Sequence, residues 1–145
     1  MHRPRVLTLT LAVFLAVGVS APGASSRFSY SEEIAATGSL IVAFQEGSLK
    51  RFGSVDYQLT ATADVTVEQP GQTIVARSTP MATATLVPDA KGGTQGVLTL
   101  DVDITAGGGC LCGGSSRVDY SDVALSNLAT GKVYRLDPIG RMLTG

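Results

Sequence analysis

The stretch VDYQLTATADVTVE, residues 55–68, alternates without a fault along its whole length. Val55, Tyr57, Leu59, Ala61, Ala63, Val65 and Val67 fall on one face, and Asp56, Gln58, Thr60, Thr62, Asp64, Thr66 and Glu68 on the other. A period of two is the pattern of a strand with one buried and one wet face, and it leaves no room for a helix. The class is therefore all-β and antiparallel. At about 3.3 Å per residue the segment would span roughly 45 Å, longer than most strands in compact domains, so it should bend or be shared between partners. The small pair Ala61 and Ala63 is the expected bend, where the strand could coil over to a second sheet.

Downstream, Gln69-Pro70-Gly71-Gln72 reads as a tight turn, with proline setting one backbone angle and glycine permitting a positive one. Residues 73–78 and 81–87 read as two strands separated by Thr79-Pro80, and Pro80 suggests an edge or a bulge there. Residues 88–96 form a flexible connection. Residues 97–105 alternate again, with Leu98, Leu100, Val102 and Ile104 inward. If the glycine-rich residues 106–116 close a hairpin, Thr105 pairs with Arg117, Ile104 with Val118 and Val102 with Tyr120. The inward phase of Val118 and Tyr120 passes to Val123 and Leu125 only if one extra residue enters near Ser121 or Asp122, which predicts a β-bulge. A four-residue turn, Leu128-Ala129-Thr130-Gly131, then pairs Leu125 with Tyr134 and Val123 with Leu136. After Asp137-Pro138 the tail reads as loosely held.

Upstream, Leu40 to Phe44 is apolar on both faces, as a central strand would be. Residues 46–53 form a loop whose Leu49 and Phe52 tuck back over one end of the core. Ser31-Glu32-Glu33 could start one helical turn closed by Gly38. These elements sum to a small antiparallel β-sandwich of about seven or eight strands, with a β-barrel as the alternative.

Arg3 and Arg5 ahead of an apolar run at residues 6–19, followed by small residues, read as a secretory signal peptide over 1–26. That leaves 119 of the 145 residues, 27–145, as a single domain with one core, secreted to an extracellular, periplasmic or cell-wall space. Without Arg3 and Arg5 the 11 basic residues become 9 against 12 acidic ones, a net charge near −3. Such a balance, without a basic stripe, argues against nucleic acid and against membrane binding once the signal is removed. The one histidine, His2, leaves with the signal, so no imidazole remains for a triad or proton shuttle. The absence of tryptophan removes the usual sugar-stacking platform.

Three features could carry chemistry. Cys110 and Cys112, with Leu111 between them, lie in a run of glycines. In an extended chain their α-carbons would be about 7 Å apart, at the limit for a disulfide, so pairing requires the turned backbone that glycine allows. The readings are an intramolecular bond that is strained and easily reduced, a disulfide-linked homodimer, a thiol–disulfide exchanger, or two copies sharing a metal. Second, the hairpin register sets Asp103 opposite Asp119, with Asp101 and Asp122 nearby. Opposed carboxylates need compensation, from Arg117 or from a calcium ion. Paired carboxylates also serve glycoside hydrolysis, which so small a domain without tryptophan suits poorly. Third, Thr60, Thr62, Thr66, Thr83, Thr85, Thr99 and Thr105 lie on outward faces, where threonine is an ordinary residue for a wet strand.

The sequence thus reads as an exported, non-enzymatic binding or cell-surface interaction module. Its partner would be a protein or extracellular polymer that the residues do not identify. Lys50, Arg51 and Phe52, the cysteine loop with Leu111, and the turn at residues 128–131 are its candidate contact surfaces. The alternative is a redox-active thiol protein centred on Cys110 and Cys112.

Overall fold

The computed structural model describes residues 28–103 and 115–144. The segment read as a signal peptide, and Cys110, Leu111 and Cys112, therefore lie outside the described residues. Nine strands are formed: β1 (Phe28–Ile34), β2 (Leu40–Glu46), β3 (Val55–Gln69), β4 (Gln72–Ser78), β5 (Met81–Leu86), β6 (Thr94–Leu100), β7 (Ser115–Asn127), β8 (Val133–Arg135) and β9 (Ile139–Thr144). All pairings are antiparallel. They make a three-stranded sheet, β1-β2-β6, and a six-stranded one, β4-β3-β7-β8, in which β5 also pairs with β3 and β9 with β7. The two sheets face each other as a sandwich, not closed into a barrel.

The alternation of residues 55–68 is the backbone of this arrangement. All seven residues of its apolar set are buried, from Val55 and Tyr57 at 0% exposure to Ala61 at 5%. Burial of each valine or leucine among them stabilises the fold by about 1.5–3 kcal/mol relative to exposure. The length of β3 is resolved by sharing. Residues 55–60 pair with β5 and residues 63–69 with β4, two short strands laid end to end along one side, while β7 runs along the other. The expected coil into a second sheet at Ala61 and Ala63 does not occur, because β7 takes up the irregularity instead. Thr60 pairs with Ala124 and Thr62 with Ser121, so Asp122 and Val123 together oppose Ala61. This is the bulge expected near Ser121 or Asp122. Asp122 has φ 51°, the left-handed region that aspartate tolerates better than most side chains.

Several local readings hold. The Pro70-Gly71 turn joins Gln69 to Gln72, with Gly71 at φ 77°. Leu125 pairs with Tyr134, and the Leu136 amide donates to the Val123 carbonyl at 2.9 Å. β2 is the central strand of its sheet, and Leu49 is 2% exposed with Phe52 packed beside it.

Others are corrected. Strands β6 and β7 do not form a hairpin: β6 pairs with β2 from Leu40↔Leu100 to Glu46↔Thr94, whereas β7 pairs with β3. Leu98 and Leu100 face Val118 and Tyr120 across the core, so their matching apolar phases are as well satisfied face to face as side by side. β6 also begins at Thr94 and ends at Leu100, earlier than the expected 97–105. The connection before it is ordered: Asp89 Oδ1 accepts from the amides of Lys91 at 2.8 Å and Gly93 at 2.9 Å. Ser31-Glu32-Glu33 belongs to β1 rather than to a helical turn, because Glu32 pairs with Val42 in the ladder. Gly38, at φ 92°, closes the β1–β2 turn. Finally the tail is strand β9, paired along β7 from Tyr120↔Ile139 to Ser115↔Thr144, with Leu143 buried.

Candidate interaction surface at the loop end

At one end of the sandwich the interior turns polar. Glu46 continues the inward phase of Leu40, Val42 and Phe44 and is 4% exposed. Three donors converge on its carboxylate. Tyr57 Oη donates to Oε1 at 2.7 Å, Asn127 Nδ2 to Oε1 at 2.8 Å, and Tyr134 Oη to Oε2. Thr94 Oγ1 lies 2.7 Å from Tyr57 Oη and bonds the Glu46 carbonyl at 3.4 Å. A buried carboxylate is tolerated when its lone pairs are met by such donors, and leaving one donor out is expensive. Burial, with the adjoining Glu46 charge, pushes the Tyr57 and Tyr134 hydroxyls well above the ordinary phenol range. For Tyr57 the bond to Thr94 works the other way.

This network sets the loops above it. Asn127 uses its second atom, Oδ1, to accept from the amides of Ala129 at 2.9 Å and Thr130 at 3.1 Å, fixing the turn at residues 128–131. The Leu128 amide donates to the Asp56 carbonyl at 2.9 Å, which ties that turn to the start of β3 beside Phe52. The Leu49 amide donates to the Gly92 carbonyl at 2.9 Å, joining the residue 47–54 loop to the residue 88–93 turn. The fit there is close: a Cβ on Gly92, already at φ +85°, would meet the Lys50 backbone nitrogen at 2.7 Å. Lys50, Arg51, Lys91 and Leu128 all project as exposed side chains from this end. The Arg51 guanidinium lies 5.0 Å from the Phe52 ring centre, a cation–π contact that fixes its stem.

Of the residues singled out from sequence, Lys50, Arg51 and Phe52 are thus brought together with the turn at 128–131. Cys110, Leu111 and Cys112 lie outside the described residues. The flanks of their segment, Leu100 and Ser115, sit toward the other end, since Ser115 pairs with Glu68.

The acidic set is not brought together. Asp101 follows β6 and accepts from Ser39 Oγ, at the β1–β2 turn, at 2.7 Å. Asp119 lies on the outward face of the six-stranded sheet, opposite Asp64 and Gly140 rather than Asp103, and Asp122 occupies the bulge. Among the described residues no group of three or more His, Cys, Asp or Glu side chains could hold a metal ion. The opposed carboxylates are Asp64 and Asp119, and each has its own arginine. Arg77 donates to Asp64 at 2.7 and 3.0 Å, which holds that carboxyl below its usual range. Arg117 donates to both oxygens of Asp119 at 2.9 and 3.0 Å. Gly140 opposite leaves room for that pair, since a Cβ there would run into Asp119 Oδ1.

Thr60, Thr62, Thr66, Thr83 and Thr85 share the outward face of the six-stranded sheet, whereas Thr99 belongs to the other sheet.

The Glu46 network was not anticipated, though it left a signal. Glu46, Asn127 and Thr94 each sit in the inward phase of an apolar strand, where a polar residue must find partners. Comparison with protein-family models, with curated proteins and with solved structures found no match.

Proposed function

We propose that this chain is an exported, non-enzymatic binding or interaction module that meets its partner through the end carrying Lys50, Arg51, Phe52 and the turn at residues 128–131. One observation carries the reading: Asn127 bonds Glu46 below and the turn amides above, so that the contact loops rest on a buried hydrogen-bonded floor. Loops held this way present side chains at little entropic cost, as recognition requires. The thiol–disulfide alternative rests on Cys110 and Cys112 and draws no support from the described residues.

The test is retention of extracellular material from the producing cells on immobilised protein. A species retained by wild type and by Cys110→Ser/Cys112→Ser, but lost with Lys50→Ala/Arg51→Ala/Leu128→Ala, is the expected result. Retention that survives the loop-end variant overturns the surface assigned here. Turnover of a dithiol substrate that disappears in Cys110→Ser would establish the redox alternative.

A further inference from the structure

Sheet edges offer unpaired main-chain donors and acceptors, and soluble β proteins blunt them with prolines, inward-pointing charges, or cover by another strand. Most described edges of this sandwich carry such devices, and β6, the edge beside β2, is covered at Gly96 by Leu86 of β5. On β1 the carboxylate of Glu32 points inward, in register with buried Val42. On β9 Arg141 is in register with buried Val118, and its Nη1 donates to the Ile34 carbonyl at 2.5 Å. β8 is only three residues long and ends ahead of Pro138. β5 begins after Pro80, and its Leu86 packs over Gly96 of β6, where a Cβ would lie 2.7 Å from Leu86 Cδ1.

β4 has none of these. Its seven residues, Gln72–Ser78, contain no proline and no inward charge. Its single charge, Arg77, turns to the outward face and is held by Asp64 of β3. Ile74 and Ala76, in register with buried Val67 and Val65, are half-buried, and Val75 is 61% exposed. Among the described residues β4 pairs only with β3.

We propose that β4 is the interface through which two copies of this chain associate, as an antiparallel β4–β4 pair about a twofold axis at Val75. The register follows from the ladder. The two-residue turn closes on Gln69↔Gln72, so Gln72, Ile74, Ala76 and Ser78 spend their main-chain groups on β3. Thr73, Val75 and Arg77 direct theirs to the free edge. Centring the pair on Val75 sets Thr73 against Arg77 of the second copy and Val75 against Val75, using all three outward-directed residues in about six main-chain hydrogen bonds. On the core side Ile74 meets Ala76 of the second copy, apolar against apolar, and Gln72 meets Ser78. No like charges are opposed, whereas a register centred on Arg77 would set arginine against arginine. The interface is isologous and closes on itself, so it yields a dimer rather than a fibre on that edge. A seven-residue strand pair is smaller than the roughly 1,200 Å² of standard stable interfaces, so association is concentration-dependent.

Sedimentation velocity of the full chain under reductant, which removes any link through Cys110 or Cys112, tests this. The expected mass rises toward two chains with concentration, Thr83→Asp on β5 behaves as wild type, and Val75→Asp, which opposes two carboxylates at the axis, stays monomeric. Monomer up to about 1 mM for wild type, or a dimer that Val75→Asp leaves intact, overturns the proposal. Should Val75→Asp lose its folded circular-dichroism spectrum, cysteine crosslinking in the Cys110→Ser/Cys112→Ser background decides. Val75→Cys linking into a covalent dimer while Thr83→Cys does not supports the pair, and equal linking or none refutes it.

Discussion

Replacing Asn127 by aspartate changes one NH2 group to an oxygen in the buried network, with the same shape. The amide cannot flip to compensate, because Oδ1 is committed to the amides of Ala129 and Thr130. The new oxygen therefore faces Glu46 Oε1 across the 2.8 Å that the Asn127 bond now spans. Loss of a hydrogen bond to a charged acceptor costs about 1.5–3 kcal/mol. Two unit charges some 4 Å apart at an effective dielectric constant of about 20 repel by about 4 kcal/mol. The pair can escape by taking up one proton, at about 1.4 kcal/mol for each pH unit above an ordinary carboxyl value near 4, or about 4 kcal/mol at pH 7. Asn127→Asp should thus destabilise by about 3–5 kcal/mol at pH 7, a large part of the roughly 5–15 kcal/mol that holds a domain. The loss should shrink toward pH 4, where one shared proton restores a hydrogen bond between the carboxyls. Urea unfolding at both pH values measures it. Adding Glu46→Gln should recover at least half the loss at pH 7, since the glutamine amide can donate to the new aspartate. A loss below about 1 kcal/mol, or one that does not change with pH, would refute the network as described.

Two further outcomes follow from the structure. At the bulge, Asp122→Asn keeps a residue type suited to positive φ and should be neutral, whereas Asp122→Val should destabilise by about 1–2 kcal/mol in urea unfolding; equal midpoints would remove the left-handed conformation from the account. Glu32, partly buried on β1 and close to Asp137, is pushed up to about 7 by desolvation first and by Asp137 second, and its Oε2 has no hydrogen-bond partner. Because the folded chain keeps this proton longer than the unfolded one, its contribution to stability is whole below about pH 4.5 and is lost as pH rises through 7. Partial exposure reduces the effect to about 1–2 kcal/mol, read as a difference between wild type and Glu32→Gln that opens between pH 4.5 and 8. Parallel stability curves would sink it.

The strands themselves were legible because period-two alternation is written in adjacent residues. β3 could be read from residues 55–68 alone, and so could the bulge, since the phase of Val118 and Tyr120 reaches Val123 and Leu125 only through an extra residue. The turn at residues 128–131 was likewise readable, a short loop leaving few registers. The candidate surface was legible only in pieces. Lys50 to Phe52 and the turn at residues 128–131 could each be named as contact loops, but that they share one end follows only from the Leu49–Gly92 and Leu128–Asp56 hydrogen bonds. Glu46 and Asn127 were visible as polar residues in an apolar phase, but 81 positions separate them, and nothing local says they meet.

By itself, then, the sequence determined the class, the inward set of each strand, and the tight turns, because these depend on alternation and on the backbone preferences of proline, glycine and aspartate. Beyond the hairpins closed by those turns, which strand pairs with which was decided only by the tertiary structure. β6 and β7 carry matching apolar faces that would suit a hairpin, yet they face each other from opposite sheets, and the tail that looked loose becomes β9. The physical reason is that the hydrophobic effect is not directional. It says which side chains must leave water, but it distinguishes poorly between neighbours in one sheet and partners across a core. That choice is made by the whole set of ladders at once, and with it the place where Lys50, Arg51 and Leu128 come together.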